Sequence, residues 1–241
     1  MTETLPAAET AQTVLVEFQI RTETTTMAAW LEEWDKRGQD AYHGEPDTTA
    51  YAAAINVDAP DSVLVFERYA RGAESLRAHV ERPAHKALHA TMGERNMTRR
   101  RVFSSLCEDI PNLGWWARPG TDSATAAGNI IVLLGMRFPE PEQLAHFLAL
   151  IEGHAGYCWD NEPETLAYAG ALATRDADRG IDQRAGDLVW VMTCRDMDAV
   201  NRHAEDPVHV ALGAQAEAAG IAAEQTFMRT YRTTGCGYLW R

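Results

Sequence analysis

Two histidines recur in matching contexts. His79 opens the run His79-Val80-Glu81-Arg82-Pro83-Ala84-His85, and His203 opens His203-Ala204-Glu205-Asp206-Pro207-Val208-His209. An imidazole titrates near neutral pH, so either residue could take a proton from a weakly acidic substrate. The residue before a proline avoids the helical region. A helix is therefore expected to end at each break and to restart with Pro83 or Pro207 in its first turn. An imidazole at such a break has a second reading, as a cap on the backbone groups freed there. His85 and His209 also pair by repeat and could line the mouth of a pocket. His85 and His89 lie four apart, at metal-ligand spacing, but no nearby carboxylate completes a ligand set and the counterpart of His89 is Gly213. No metal site is expected.

A second repeated motif carries a phenol. Glu45-Pro46-Asp47-Thr48-Thr49-Ala50-Tyr51 recurs as Glu162-Pro163-Glu164-Thr165-Leu166-Ala167-Tyr168, each followed by small residues. A tyrosine on a strand of alanines could donate a hydrogen bond to the oxygen of a planar ligand. The alanines could equally serve close packing of a helix. Glu67 and Arg68 are charged residues on an otherwise apolar strand, and one of them must face inward if both faces are covered. Their counterparts, Met192 and Thr193, are neutral, so the first half is expected to keep the polar site. There are seven tryptophans. Trp30 and Trp34 share a helix face and suit either a core or the wall of a polycyclic ligand site. Trp115 and Trp116 fall in a Gly/Pro-rich stretch, where they could form a lid or fasten a linker.

These positions need elements to hold them. Strands are expected at 14–20 and 129–137, each followed by a helix, the first with a Thr-rich start that can cap and the second opened by Pro139 and Pro141. Then come strands at 48–57 with 62–69, and at 165–174 with 187–195. A helix begins near 73 and near 197, and last strands run over 100–106 and 224–231. The order is βαββαβ, twice. The extra residues of the second copy fall in the polar stretch 174–186, read as an enlarged hairpin loop. The strands Ser62-Val63-Leu64-Val65-Phe66 and Ile130-Ile131-Val132-Leu133-Leu134 are apolar on both faces, although a lone sheet of this kind is covered on one side only. The expected fold is α+β: tandem ferredoxin-like units whose sheets face each other in an intramolecular version of a dimeric α+β barrel. The boundaries are 12–107 for the first domain, 108–127 for a linker and 128–241 for the second.

Composition narrows the function. The chain has 241 residues, 46% of them hydrophobic, and a net charge of -13. Such acidity disfavours nucleic acid and anionic membrane surfaces as partners. The four cysteines form no zinc or redox motif, which suits a reducing cytoplasm. Residues 1–13 read as a short unstructured lead-in and not as a signal peptide. No Gly-rich nucleotide or phosphate loop follows any expected strand.

The passage Val65-Phe66-Glu67-Arg68-Tyr69 through Ala73, Leu76, His79, Pro83, His85 and Leu88 resembles the antibiotic biosynthesis monooxygenase family of the dimeric α+β barrel superfamily. A second copy runs from Val191 through Ala199, His203, Pro207, His209 and Leu212. The resemblance implies a cavity between each sheet and its helices for a small aromatic substrate. It implies an oxygenase acting on a polycyclic, polyketide-like phenol or quinol of secondary metabolism. Molecular oxygen would be used without a cofactor, or with reduced flavin (FMN or FAD) as a diffusing co-substrate supplied by a flavin reductase. On that basis His79, Tyr51, Arg68 and Glu67 are the expected catalytic residues. His85, His89, Trp30, Trp34, Trp115, Trp116, Tyr168, His203 and His209 are the expected substrate contacts. The superfamily also includes haem-binding members, and a non-catalytic protein with a collapsed cavity is the remaining alternative. The fused unit would act as a monomer or a homodimer.

Overall fold

The computed structural model describes residues 10–241. Most of the expected lead-in, residues 1–9, lies outside the described residues. The first copy comprises β1 (Gln12–Ile20), α1 (Met27–Gly44), β2 (Thr48–Asn56), β3 (Ser62–Tyr69), α2 (Gly72–Glu81), α3 (Pro83–Glu94) and β4 (Thr98–Trp115). The second comprises β5 (Ala127–Arg137), α4 (Pro141–Asn161), β6 (Thr165–Ala173), β7 (Leu188–Cys194), α5 (Met197–Glu205), α6 (Pro207–Ala218) and β8 (Glu224–Tyr238). The Thr26 side chain caps α1 by accepting from the Ala29 N–H at 3.2 Å. Arg82 and Asp206 are extended, so each proline starts a new helix and splits the second helical segment of its copy in two.

The eight strands close into one barrel in the order β1-β3-β2-β8-β5-β7-β6-β4. Within each copy the order is that of a ferredoxin-like sheet. The copies join where the last strand of each pairs antiparallel with the second strand of the other, β8 with β2 and β4 with β6. This explains the missing alternation. Leu15, Leu64, Phe66, Ile131, Leu133 and Val191 fill the barrel interior, while Tyr51, Ala53, Val63 and Val65 pack beneath the first copy's helices. One interior carboxylate, Glu17, accepts from Tyr231 Oη at 2.7 Å and from Asn56 Nδ2 at 3.1 Å. The enlarged loop after β6 reaches back onto the barrel: Ile181 packs on its core, and Gln183 Oε1 accepts from Ser105 Oγ at 2.7 Å. No described helix is long and apolar enough to cross a membrane.

The last strands are longer than the sequence pattern suggests. β4 runs on to Trp115 and β8 to Tyr238, because each must reach beyond its own sheet to pair with the other copy. Residues 108–115, expected as linker, are strand. Each extension contains a glycine at positive φ, Gly114 at 70° and Gly237 at 76°. A Cβ there would lie 1.8 Å from the Tyr168 carbonyl oxygen and 1.9 Å from that of Tyr51. Both the conformation and the approach demand glycine. Gly114→Ala and Gly237→Ala should each destabilise the barrel by at least ~2 kcal/mol in chemical denaturation, whereas Gly120→Ala, in open space, should cost less.

Candidate functional site

The repeated histidines and the repeated glutamates meet. Glu45 follows the C-terminus of α1, and His79 projects from the last turn of α2. His79 Nδ1 lies 2.7 Å from Glu45 Oε2 and 2.8 Å from Arg37 Nη2. Thr48 Oγ1 donates to the same carboxylate at 2.7 Å, and Arg37 and Arg82 pair with its other oxygen. The imidazole therefore bonds to a carboxylate and not to freed backbone groups, so the capping reading does not hold. Burial alone would raise the Glu45 carboxyl, but the bond and charge of His79, then Thr48 and Arg37, hold it down at about 2.

The remaining residues singled out in the first copy divide between two sites. Tyr51 lies beside His79, with ring centroids 5.3 Å apart, and burial pushes its phenol well above the ordinary range. Its hydroxyl has no hydrogen-bond partner among the described residues. Glu67 faces the same layer and accepts from Tyr69 Oη at 2.7 Å, and burial raises its carboxyl. Arg68 does not belong with them. It points into the barrel, pairs with Asp109 and sits 3.9 Å above the Trp116 ring, because adjacent residues of a strand face opposite sides. Trp30 and Trp34 stack 5.0 Å apart and are 0% and 4% exposed, so they are core. His85 and His89 lie 4.4 Å apart between His79 and Trp34. The adjacent indoles are not a lid. Trp115 packs on Trp159 and Tyr168, and Trp116 on Phe66 and Arg68, so both fasten the end of β4.

The large apolar cavity is in the second copy, against the expectation that the first half would hold the site. It has a volume of about 470 Å³ and lies between the β5–β7 face of the sheet and helices α4, α5 and α6. Phe147, Ile151, Tyr168, Trp190 and Met192 form part of its wall, and Val210 and Met228, 61% and 59% exposed, are at its mouth. The sequence explains the difference. Phe147 and Ile151 stand on α4 where Trp30 and Trp34 stand on α1, and Gly213 replaces His89. Smaller side chains leave the space that two stacked indoles and an imidazole take up.

His203 and His209 border this cavity. His203 Nδ1 lies 2.9 Å from Glu162 Oε2, and Thr165 Oγ1 donates to that carboxylate at 2.9 Å. Burial opposes ionisation of Glu162, but the bond and charge of His203 keep its carboxyl below the usual value. His209 is lowered to about 4, first by burial and then by His203 and His154. Three residues were not singled out from the sequence. His154 and Cys158 lie one helical turn apart on α4, and Glu162 accepts the imidazole. The signal was present. Glu45 and Glu162 open the repeated motif, and the same register places His154 where the first copy has Arg37.

The Glu45 carboxyl is lowered on folding, so its contribution is whole above about pH 4.5 and is lost as pH falls toward about 2. Glu45→Gln should cost about 3 kcal/mol at pH 7 in urea denaturation. The gap between variant and wild type should shrink through that acid window.

The comparisons agree with this fold. The family described as antibiotic biosynthesis monooxygenase matches residues 12–91. No curated protein matches the chain in sequence. In fold it is similar to a candidate monooxygenase from Lactobacillus acidophilus NCFM, with a TM-score of 0.68 at 10% identity over 97% of this chain and 100% of the other. It is also similar to one from Fusobacterium nucleatum, with a TM-score of 0.69 at 12% identity over 97% and 94%. An anthrone oxidase-like protein has a TM-score of 0.56 at 16% identity over 94% and 92%. Residues 12–91 thus match the antibiotic biosynthesis monooxygenase family, and the chain folds as two ferredoxin-like units in one closed barrel.

Proposed function

We propose that the protein is an oxygenase that oxidises a polycyclic aromatic phenol or quinol with molecular oxygen in the cavity of its second copy. The observation that carries this reading is the apolar cavity of about 470 Å³ bordered by His203, whose other side is held by Glu162. A volume of this size suits a multi-ring ligand. With Glu162 on Nδ1, the free nitrogen of His203 is Nε2, the atom that would take the phenolic proton. The resulting anion is electron-rich and reduces oxygen directly. One oxygen atom enters the ring system as a carbonyl and the other leaves as water. The wall of Phe147, Ile151, Trp190 and Met192 orients the rings and excludes water.

The family match of the first copy and the fold likeness to an anthrone oxidase-like protein support this class of substrate. Oxygen would act unaided, or reduced FMN or FAD would diffuse in from a flavin reductase. Four free thiols suit work in the cytoplasm, as a monomer or a homodimer of the fused unit.

Oxygen uptake with a panel of polycyclic phenols, with and without reduced flavin, is the direct test. His203→Gln should lower turnover by about 10²- to 10⁴-fold. Gly213 lines the cavity and a Cβ there meets nothing within 4 Å, so Gly213→Phe should fill the cavity without disturbing α6. Its melting temperature should hold or rise while turnover falls at least about tenfold. No uptake across the panel, or full activity in Gly213→Phe, would sink the proposal.

A further inference from the structure

We infer that His154, His203 and His209 form a binding site for one divalent transition-metal ion. One ligand atom from each lies within 4.8 Å of the others. His154 Nε2 and His209 Nδ1 are 3.2 Å apart, close to the separation of about 3.3 Å that two nitrogens have around a tetrahedral zinc ion. The three residues come from α4, α5 and α6, so three packed helices fix their positions. Glu162 stands behind His203 at 2.9 Å, the arrangement in which a carboxylate orients a ligating imidazole and strengthens it as a donor. His203 and His209 also border the cavity, so a fourth coordination position is within reach of a ligand bound there.

The cluster is not a closed hydrogen-bond network. His154 Nε2 is within 3.2 Å of His209 Nδ1 and 3.4 Å of Cys158 Sγ, while its Nδ1 is buried with no hydrogen-bond partner among the described residues. The first copy shows what such a place contains when the protein supplies the charge itself. Arg37 precedes Glu45 by the interval at which His154 precedes Glu162, and His79 and His85 stand for His203 and His209. There the Arg37 guanidinium, 2% exposed, contacts both His79 and Glu45. The second copy has the same carboxylate and the same two imidazoles, but an imidazole stands in place of that fixed cation. A bound metal ion restores the charge. Nitrogen donors favour zinc, cobalt, nickel, copper or iron and disfavour magnesium and calcium.

This inference goes beyond the oxygenase reading, which describes the metal-free chain because a ligating His203 has no free nitrogen for a proton, and it is tested without turnover. The full chain is stripped with a chelator, dialysed and titrated with Co²⁺, read by its visible spectrum and by metal analysis. The wild type should take up one equivalent. His154→Arg copies the first copy's arrangement and should weaken Co²⁺ binding at least about 100-fold, as should His209→Ala at a half-buried position. His85→Ala, in the first copy, should bind as the wild type does. Melting curves confirm folding, and His209→Ala keeps the test decisive if the arginine variant does not fold. Uptake of less than half an equivalent by the wild type, or wild-type affinity in a folded His154→Arg or His209→Ala chain, overturns the inference.

Discussion

Closure of the barrel is the constraint on which the rest depends. A four-stranded sheet has two open edges and one bare face. In this chain β8 covers the edge at β2 and β4 covers the edge at β6, so no strand end of the sheet is left unpaired. The bare faces meet inside, around residues such as Leu15, Phe66, Leu133 and Val191. Helices can then lie only outside. Any ligand space must form either within a packed interior or between a helix layer and the outer face of the sheet, and the cavity takes the second place. The tight passages at Gly114 and Gly237 are where this geometry is least forgiving, since each brings one copy's last strand against a carbonyl of the other.

The two outer layers start from the same plan and diverge by a few side chains. Both keep a glutamate after the first helix, a threonine that donates to it and a histidine from the next helix. This tie holds two helices in register over the sheet. Around it the first copy is filled, with Trp30 stacked on Trp34, Trp34 against Tyr51, and Arg37 inside the polar cluster. The second copy substitutes Phe147, Ile151 and His154 at the corresponding positions. One plan therefore yields a packed, self-neutralised side and an open side in which three imidazoles gather beside a carboxylate without the buried arginine.

Much of this was legible in the sequence because it depends on pattern. The repeat, the double-sided strands and the proline breaks are local or periodic features, and each led to the right architecture. The site was legible only in part. His203, His209 and Tyr168 border the cavity, but the first copy was favoured because Glu67, Arg68 and His89 have no polar counterparts. Polarity pointed to the first copy, whereas the large apolar cavity lies in the second. Glu67 is bonded to Tyr69, Arg68 lies on the other face of its strand, and His89 fills space. Whether a cavity exists depends on how large side chains from different helices meet, and that is a property of packing which no single motif carries. His154 was overlooked because its three-dimensional partners lie on two later helices.

The difference in packing has an energetic side. An empty apolar void costs about 24 cal/mol per Å³. At 470 Å³ a sealed void would cost about 11 kcal/mol, as much as the whole stability of many domains. The second copy's cavity is therefore tolerable only because its mouth, at Val210 and Met228, admits water or a ligand. Even so, the apolar wall remains a weakness that the second copy's own sheet and helices would have to offset alone. Fusion into one barrel changes that balance. The stacked indoles, the buried Arg37–Glu45–His79 cluster and the shared interior stabilise a sheet that both copies use. On the proposed reading, loss of activity on filling the cavity and gain of stability would then come together, because the same space would serve one and costs the other.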